Sequence, residues 1–255
     1  MLYVASGLFV GFVVGLTGVG GGSLMTPILV LLFGVHPAMA VGTDLLYAAA
    51  TKSVGTLVHG LKGSVVWSIT GALALGSVPT SLGMVVWLNH AGPFGPDAAA
   101  LITSILGYAL LLTAAAMIMR RRIQAYAASG AYSLNPATRF GLTVLTGIVL
   151  GVLVSLSSVG AGALGVTALI LLYPEMPTAQ IVGSDIAHAV PLALIAGFGH
   201  WLIGSVDFAM VGLLLTGSIP GIVAGSLAAP RLPDYALRLA LAAVLTIVGA
   251  RLVLV

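Results

Sequence analysis

Val41-Gly42-Thr43-Asp44 is met again as Val182-Gly183-Ser184-Asp185, 141 residues further along the chain. The same offset carries His59 and Gly63-Ser64-Val65 onto His200 and Gly204-Ser205-Val206, and Gly76-Ser77-Val78-Pro79 onto Gly217-Ser218-Ile219-Pro220. Upstream the offset is 140, taking Val19-Gly20-Gly21-Gly22 onto Val159-Gly160-Ala161-Gly162, so one single-residue indel near Pro37 and Pro177 aligns both copies. A duplicated chain whose helices are interrupted at matching places is, in a membrane protein, the best sequence pointer to a transporter and to its binding site.

Composition places the chain in a membrane. Of its residues 60% are hydrophobic and 6% charged, with a mean hydropathy of +1.19, against about 25% charged in a soluble domain. A net charge of +3 is too small to argue for nucleic acid, and the absence of cysteine excludes disulfides, thiol chemistry and cysteine-ligated metals. No Lys or Arg precedes the first apolar run, and that run already belongs to the first repeat through Gly11, which matches Gly151. It is therefore expected to stay in the mature protein and not to act as a signal.

About 20 apolar residues cross a bilayer, and the runs 38–59, 65–89, 98–119, 178–200, 206–229 and 234–254 have that length. The stretches 2–35 and 140–173 are longer and carry glycine clusters in their middles. A continuous helix of such length would reach roughly 50 Å, well beyond the hydrocarbon core. Each is expected to be two pieces hinged at Gly18–Gly22 or Gly160–Gly162. The second pieces, about 23–35 and 163–173, then form half-helices or re-entrant arms, tolerated where protein or a water-filled cavity covers the open backbone. The expected fold is all-α: a polytopic helical bundle of two homologous repeats, 1–119 and 140–255, joined by a polar linker over 120–139.

Arg120-Arg121-Arg122 and Arg139 put that linker in the cytoplasm, while the loop at 90–97 has no Lys or Arg. Lys62 falls inside again, one span back. Arg231 and Arg238 flank the 230–234 turn. They obey the same rule if each broken segment is a hairpin, which makes the two repeats inverted; the parallel arrangement violates it.

The candidate site follows from the repeat. Gly20, Gly21, Gly22, Gly160 and Gly162 can adopt positive φ and expose amides at the start of a half-helix, where the dipole suits an anion; close helix packing is the competing use of small residues. Thr43 and Ser184 offer hydroxyl donors. Asp44 and Asp185 lie within spans, where a carboxylate is costly and marks an ion path or proton relay, or else caps a helix break or pairs with a cation. Lys52, two turns after Asp44, is that cation, and its repeat mate is Ala193. His188 stands three residues after Asp185, on one helical face, where the first copy has Tyr47. His188 suits a proton relay or a hydrogen-bonded interior position. His59 and His200 end their helices and read first as interfacial or capping residues. No metal-binding, phosphate-loop or nucleophile-elbow motif occurs, so no metal and no cofactor is expected.

The run Gly15-Leu16-Thr17-Gly18-Val19-Gly20-Gly21-Gly22-Ser23, with Pro27, Val41-Gly42-Thr43, His59 and the degenerate second copy, resembles the sulfite exporter TauE/SafE family over about 5–254. The sequence departs from the family pattern at Asp44 and Asp185, where members often have a small hydroxyl residue, and at Ala161. The resemblance implies a multi-pass protein of the bacterial inner (cell) membrane. It implies export of sulfite, an organosulfonate or a related anion, with no nucleotide-hydrolysing partner. The partners expected are thus a small anionic substrate, the lipid bilayer and protons as coupling ion, with oligomers allowed. A passive anion channel and a membrane-embedded enzyme are the alternatives.

Overall fold

The computed structural model describes residues 1–17, 22–61, 63–92, 95–129, 134–228 and 234–254. These form ten helices: α1 (Leu2–Thr17), α2 (Gly22–Leu31), α3 (Pro37–Leu61), α4 (Trp67–Ala91), α5 (Pro96–Ala128), α6 (Pro136–Ser157), α7 (Ala163–Leu172), α8 (Thr178–Leu202), α9 (Phe208–Ala228) and α10 (Asp234–Leu254). Helix for helix, α1–α5 repeats as α6–α10. The chain is an all-helical, multi-pass membrane protein: α4, α5, α6, α8, α9 and α10 are each long and apolar enough to cross a bilayer. α3 is as long as α4 but carries Thr43, Asp44, Thr51, Lys52 and Ser53. It tolerates them because it is a central helix, packed along its mate α8.

The two broken segments fold back. α2 and α7 have 10 residues each, about 15 Å of helix. The Tyr3 and Phe33 rings, from the outer ends of α1 and the α2 segment, lie 4.6 Å apart. In the second copy the Tyr173 hydroxyl meets Thr143 Oγ1 at 2.9 Å, and the Arg139 guanidinium lies 5.2 Å from the Tyr173 ring centre. Each pair is thus a hairpin whose two ends meet. Arg139 also forms an ion pair with Glu175.

The linker differs from expectation. α5 runs on to Ala128, so Arg120, Arg121 and Arg122 belong to a helix of 33 residues. Arg, Ile, Gln and Ala beyond Met119 are sound helix formers, and no Gly or Pro stops the helix before Gly130. Asn135 caps α6 by accepting from the Thr138 amide at 2.7 Å, with Pro136 at the first helical position. Residues 130–133 of the linker, Lys62 and Arg231 lie outside the described residues.

Packing across the halves is reciprocal. α1 lies along α9 and α6 along α4, while α3 lies along α8 and α5 along α10. Small residues permit the approach, as membrane helices without a hydrophobic drive require. A Cβ on Gly217 would come within 1.9 Å of the Val4 carbonyl oxygen, and one on Gly76 within 2.1 Å of that of Val144. α3 and α8 run antiparallel: Gly42 abuts His200 near one end, and Gly183 abuts His59 near the other.

The repeat is broken in one respect. α6 packs against α8 and α3, whereas its mate α1 makes no comparable contact with α3 or α8, and α7 packs on α5 more fully than α2 does on α10. The α1–α9 pair therefore stands away from the central helices on one side, and the α4–α6 pair is closed onto them on the other.

Candidate functional site

The gap beside α1 and α9 is a cavity of about 760 Å³. Its wall is mostly apolar, from α1, α3, α5, α7, α8, α9 and α10, and its polar groups include Thr51, Lys52, His59, Arg120, Gly162, Thr167, Asp185 and Arg238. Three cations therefore face one carboxylate among the described lining residues. Such a space favours an anion, because low-dielectric walls strengthen the field of the charges they hold.

Lys52 is the centre of the arrangement. Its Nζ donates to the Ala161 carbonyl at 3.0 Å, reaching from α3 to the break between α6 and α7. The Asp44 and Asp185 carboxylates both act on it electrostatically. The sequence makes a pairing with Asp44 alone reachable. The structure instead holds the ammonium between the two halves, against the broken helix of the second.

The break has the backbone anticipated for it. Gly160 and Gly162 have φ of +127° and +129°, and Ser158 enters the left-handed region at φ +59°. Only glycine adopts the first two without strain. A Cβ on Gly160 would find ordinary contacts at 3.5 Å and beyond, so Gly160→Ala isolates the backbone cost. It should destabilise the protein by about 1–3 kcal/mol, read as a lower thermal unfolding midpoint in detergent. Gly22 begins α2, whereas Gly20 and Gly21 lie outside the described residues.

Asp185 occupies the end of α7. A Cβ on Gly165 would fall 1.9 Å from its Oδ1, and the Gly162 amide faces the carboxylate. The dipole end expected to bind a substrate anion thus carries a resident carboxylate, stabilised there by the open amides. Neither oxygen of Asp185 has a hydrogen-bond partner within 3.5 Å among the described residues. Its mate Asp44 accepts from Thr26 Oγ1 of α2 and is faced by Ser158. Both carboxylates are fully buried. A charge in that state is costly unless it is paired or exchanges a proton.

The paired residues are used alike in both halves. Tyr47 donates its hydroxyl hydrogen to Ser218 Oγ at 2.7 Å, and the mate of this bond joins His188 Nε2 to Ser77 Oγ at 2.8 Å. Thr43 Oγ1 accepts from the Asp207 amide at 3.1 Å, and Ser184 Oγ accepts from the Val66 amide at 2.9 Å. Thr43 and Ser184, expected to donate to the anion, are buried and staple α3 and α8 to the start of a helix in the other half. Neither appears among the described lining residues of the cavity.

The terminal histidines part company. His59 lines the cavity and shares a hydrogen bond of 2.9 Å with Ser64. His200 is wholly buried and bonds through Nε2 to the Ser155 carbonyl at 2.9 Å. The lining residues Val182, Asp185, Ile186 and His59 have as mates Val41, Asp44, Leu45 and His200, each with 0% exposure. Leu88, Ile102, Leu150, Val154 and Leu192 pack into that second space, and Ser155 Oγ donates to Ser81 Oγ at 2.8 Å. One of two equivalent spaces is open and the other is filled.

Sequence reasoning missed Thr26, Ser158, Arg120 and Arg238. The arginines were read as loop markers of topology. Ser77 and Ser218 stood inside a repeated motif, so the signal for them was present. Nothing in the sequence marks Ser158, whose place follows from the left-handed end of α6.

The chain matches the family model described as sulfite exporter TauE/SafE over residues 3–252. It is 39% identical over 252 residues, 98% of each chain, to a protein of Bacillus subtilis (strain 168) named probable membrane transporter protein YjnA. It is 28% identical over 231 residues to a probable membrane transporter protein of Xylella fastidiosa (strain 9a5c), covering 89% of this chain and 84% of the other. Another Bacillus subtilis relative, probable membrane transporter protein YdhB, is 24% identical over 248 residues, 94% of this chain and 95% of that one. No solved structure matches with significance.

Proposed function

Because the chain belongs to the sulfite exporter TauE/SafE family of membrane transporters, we propose that it is a secondary transporter exporting a small sulfur oxyanion or organosulfonate by alternating access. The observation that carries the reading is the one-sided cavity with Lys52 at its inner end, beside the α6–α7 break. The anion binds there between Lys52 and the open amides of the break. The filled state of the equivalent space favours a carrier over a passive channel, since the two spaces exchange roles when the α1–α9 pair closes and the α4–α6 pair withdraws.

The halves are taken as inverted, a reading supported by the antiparallel mates α3 and α8 and by the hairpins that return each broken segment to its own end. Arg120, Arg121, Arg122, Arg139 and Arg238 gather at one end, which the positive-inside rule makes cytoplasmic. The open cavity then faces the cytoplasm.

Asp185 supplies the coupling. The incoming anion competes with its carboxylate for the α7 end and for Lys52, and taking up a proton removes that competition. Asp44, His188 and His59 are the other titratable groups around Lys52 and the cavity. Acidifying the loading side should therefore speed flux.

Proteoliposome uptake with sulfite, sulfate, isethionate and a cation control, with and without a pH gradient, tests the function. Isethionate stays ionised throughout, so its rate reports the protein's own protonation. A saturable flux of sulfite or isethionate, several-fold faster from an acidic loading side, is expected. Ohmic, non-saturating conductance would establish the channel instead.

A further inference from the structure

A second cavity of about 260 Å³ opens between the cytoplasmic ends of α5 and α10. Arg120, Arg121, Arg238 and Tyr235 line it, and the described lining contains no carboxylate. Arg121 is held with its guanidinium 4.6 Å from the Tyr235 ring centre, a contact that orients the group at little cost to its charge. Met117, Arg120 and Arg238 line this cavity and the large one alike. The two spaces thus meet at a pair of guanidiniums.

The opposite end has nothing comparable. Between residues 63 and 119 there is no Lys or Arg, and Asp97 opens α5 there. Arg251 is the basic residue in the last turn of α10. The cationic mouth belongs to one end of the molecule, and unlike the paired serines and histidines it is no product of the repeat.

We propose that Arg120, Arg121 and Arg238 form a separate oxyanion-binding site at the cytoplasmic mouth, where the transported anion docks before it passes to Lys52. This rests on the transporter reading above. Guanidiniums suit the task because each presents paired donors to two oxygens of a planar or pyramidal oxyanion. A bilayer lipid phosphate has the same chemistry, but the continuity of the pocket with the inner cavity selects the solute. Docking at the mouth raises the local anion concentration at the cavity entrance, and the effect weakens with salt.

Calorimetric titration of sulfite into protein in phosphatidylcholine nanodiscs tests the assignment. Wild type should bind two anions, the weaker one sensitive to ionic strength. Arg120→Gln/Arg238→Gln should bind one, and Lys52→Gln should also bind one, but the other one. Arg120→Lys/Arg238→Lys should keep both sites with the mouth weakened several-fold, which separates loss of the site from loss of the fold. One site in wild type, unchanged in the double Gln variant, overturns the mouth site while leaving the transporter reading intact. Loss of the second sulfite when phosphatidylglycerol replaces phosphatidylcholine assigns the pocket to a lipid headgroup and likewise overturns it. If Lys52→Gln leaves both sites in place, the transporter reading itself has failed.

Discussion

Lys52→Gln protein in proteoliposomes should carry anions about a hundredfold more slowly than wild type. Removing one partner of a buried charged contact costs about 2–5 kcal/mol, and about 3 kcal/mol is a factor of roughly a hundred. The loss has two parts. The anion forfeits the ammonium that attracts it, and Asp185 forfeits the cation that shares its corner of the cavity. The second part is a matter of folding, and Lys52→Gln/Asp185→Asn separates the two. The double variant removes both charges and should recover the thermal stability lost in the single variant. It should remain as slow in transport, because no cation meets the substrate. Recovery of flux in the double variant would reduce Lys52 to a structural counter-ion for Asp185.

The fold was largely legible. Glycine clusters in apolar stretches too long for one crossing located both helix breaks, and the short pieces 23–35 and 163–173 correspond to α2 and α7. What misled at 120–128 was charge: three arginines in a row suggest a solvated loop, yet their helix propensity is high and α5 continues through them. The site was legible in its charges and less so in its hydroxyls. Asp185, Lys52 and Gly162 meet at the inner end of the cavity, as their positions within spans implied. Thr43 and Ser184 were drawn into the site by their repetition. A repeated residue marks equivalent structure in both halves, and these two make equivalent staples to Asp207 and Val66. The unrepeated residues, Lys52 and the arginines of the mouth, face the cavity. Which of two equivalent spaces is open was not in the sequence at all, because alternating halves share one sequence pattern and differ in packing.

That difference in packing makes a decisive cross-link available. Val85 of α4 faces Gly199 of α8 on the filled side, and a Cβ on Gly199 would lie 3.0 Å from that of Val85. Cysteines there are close enough to bridge with a small adjustment, and the chain has no others. The Val85→Cys/Gly199→Cys disulfide would tie the α4–α6 pair to the central helices. Flux of sulfite or isethionate, measured before and after reduction of the formed bridge, is the most direct test of alternating access. The account predicts that the oxidised protein still binds the anion from the open side, that its flux falls to the protein-free background, and that reduction restores it. Wild-type flux through fully bridged protein would contradict it.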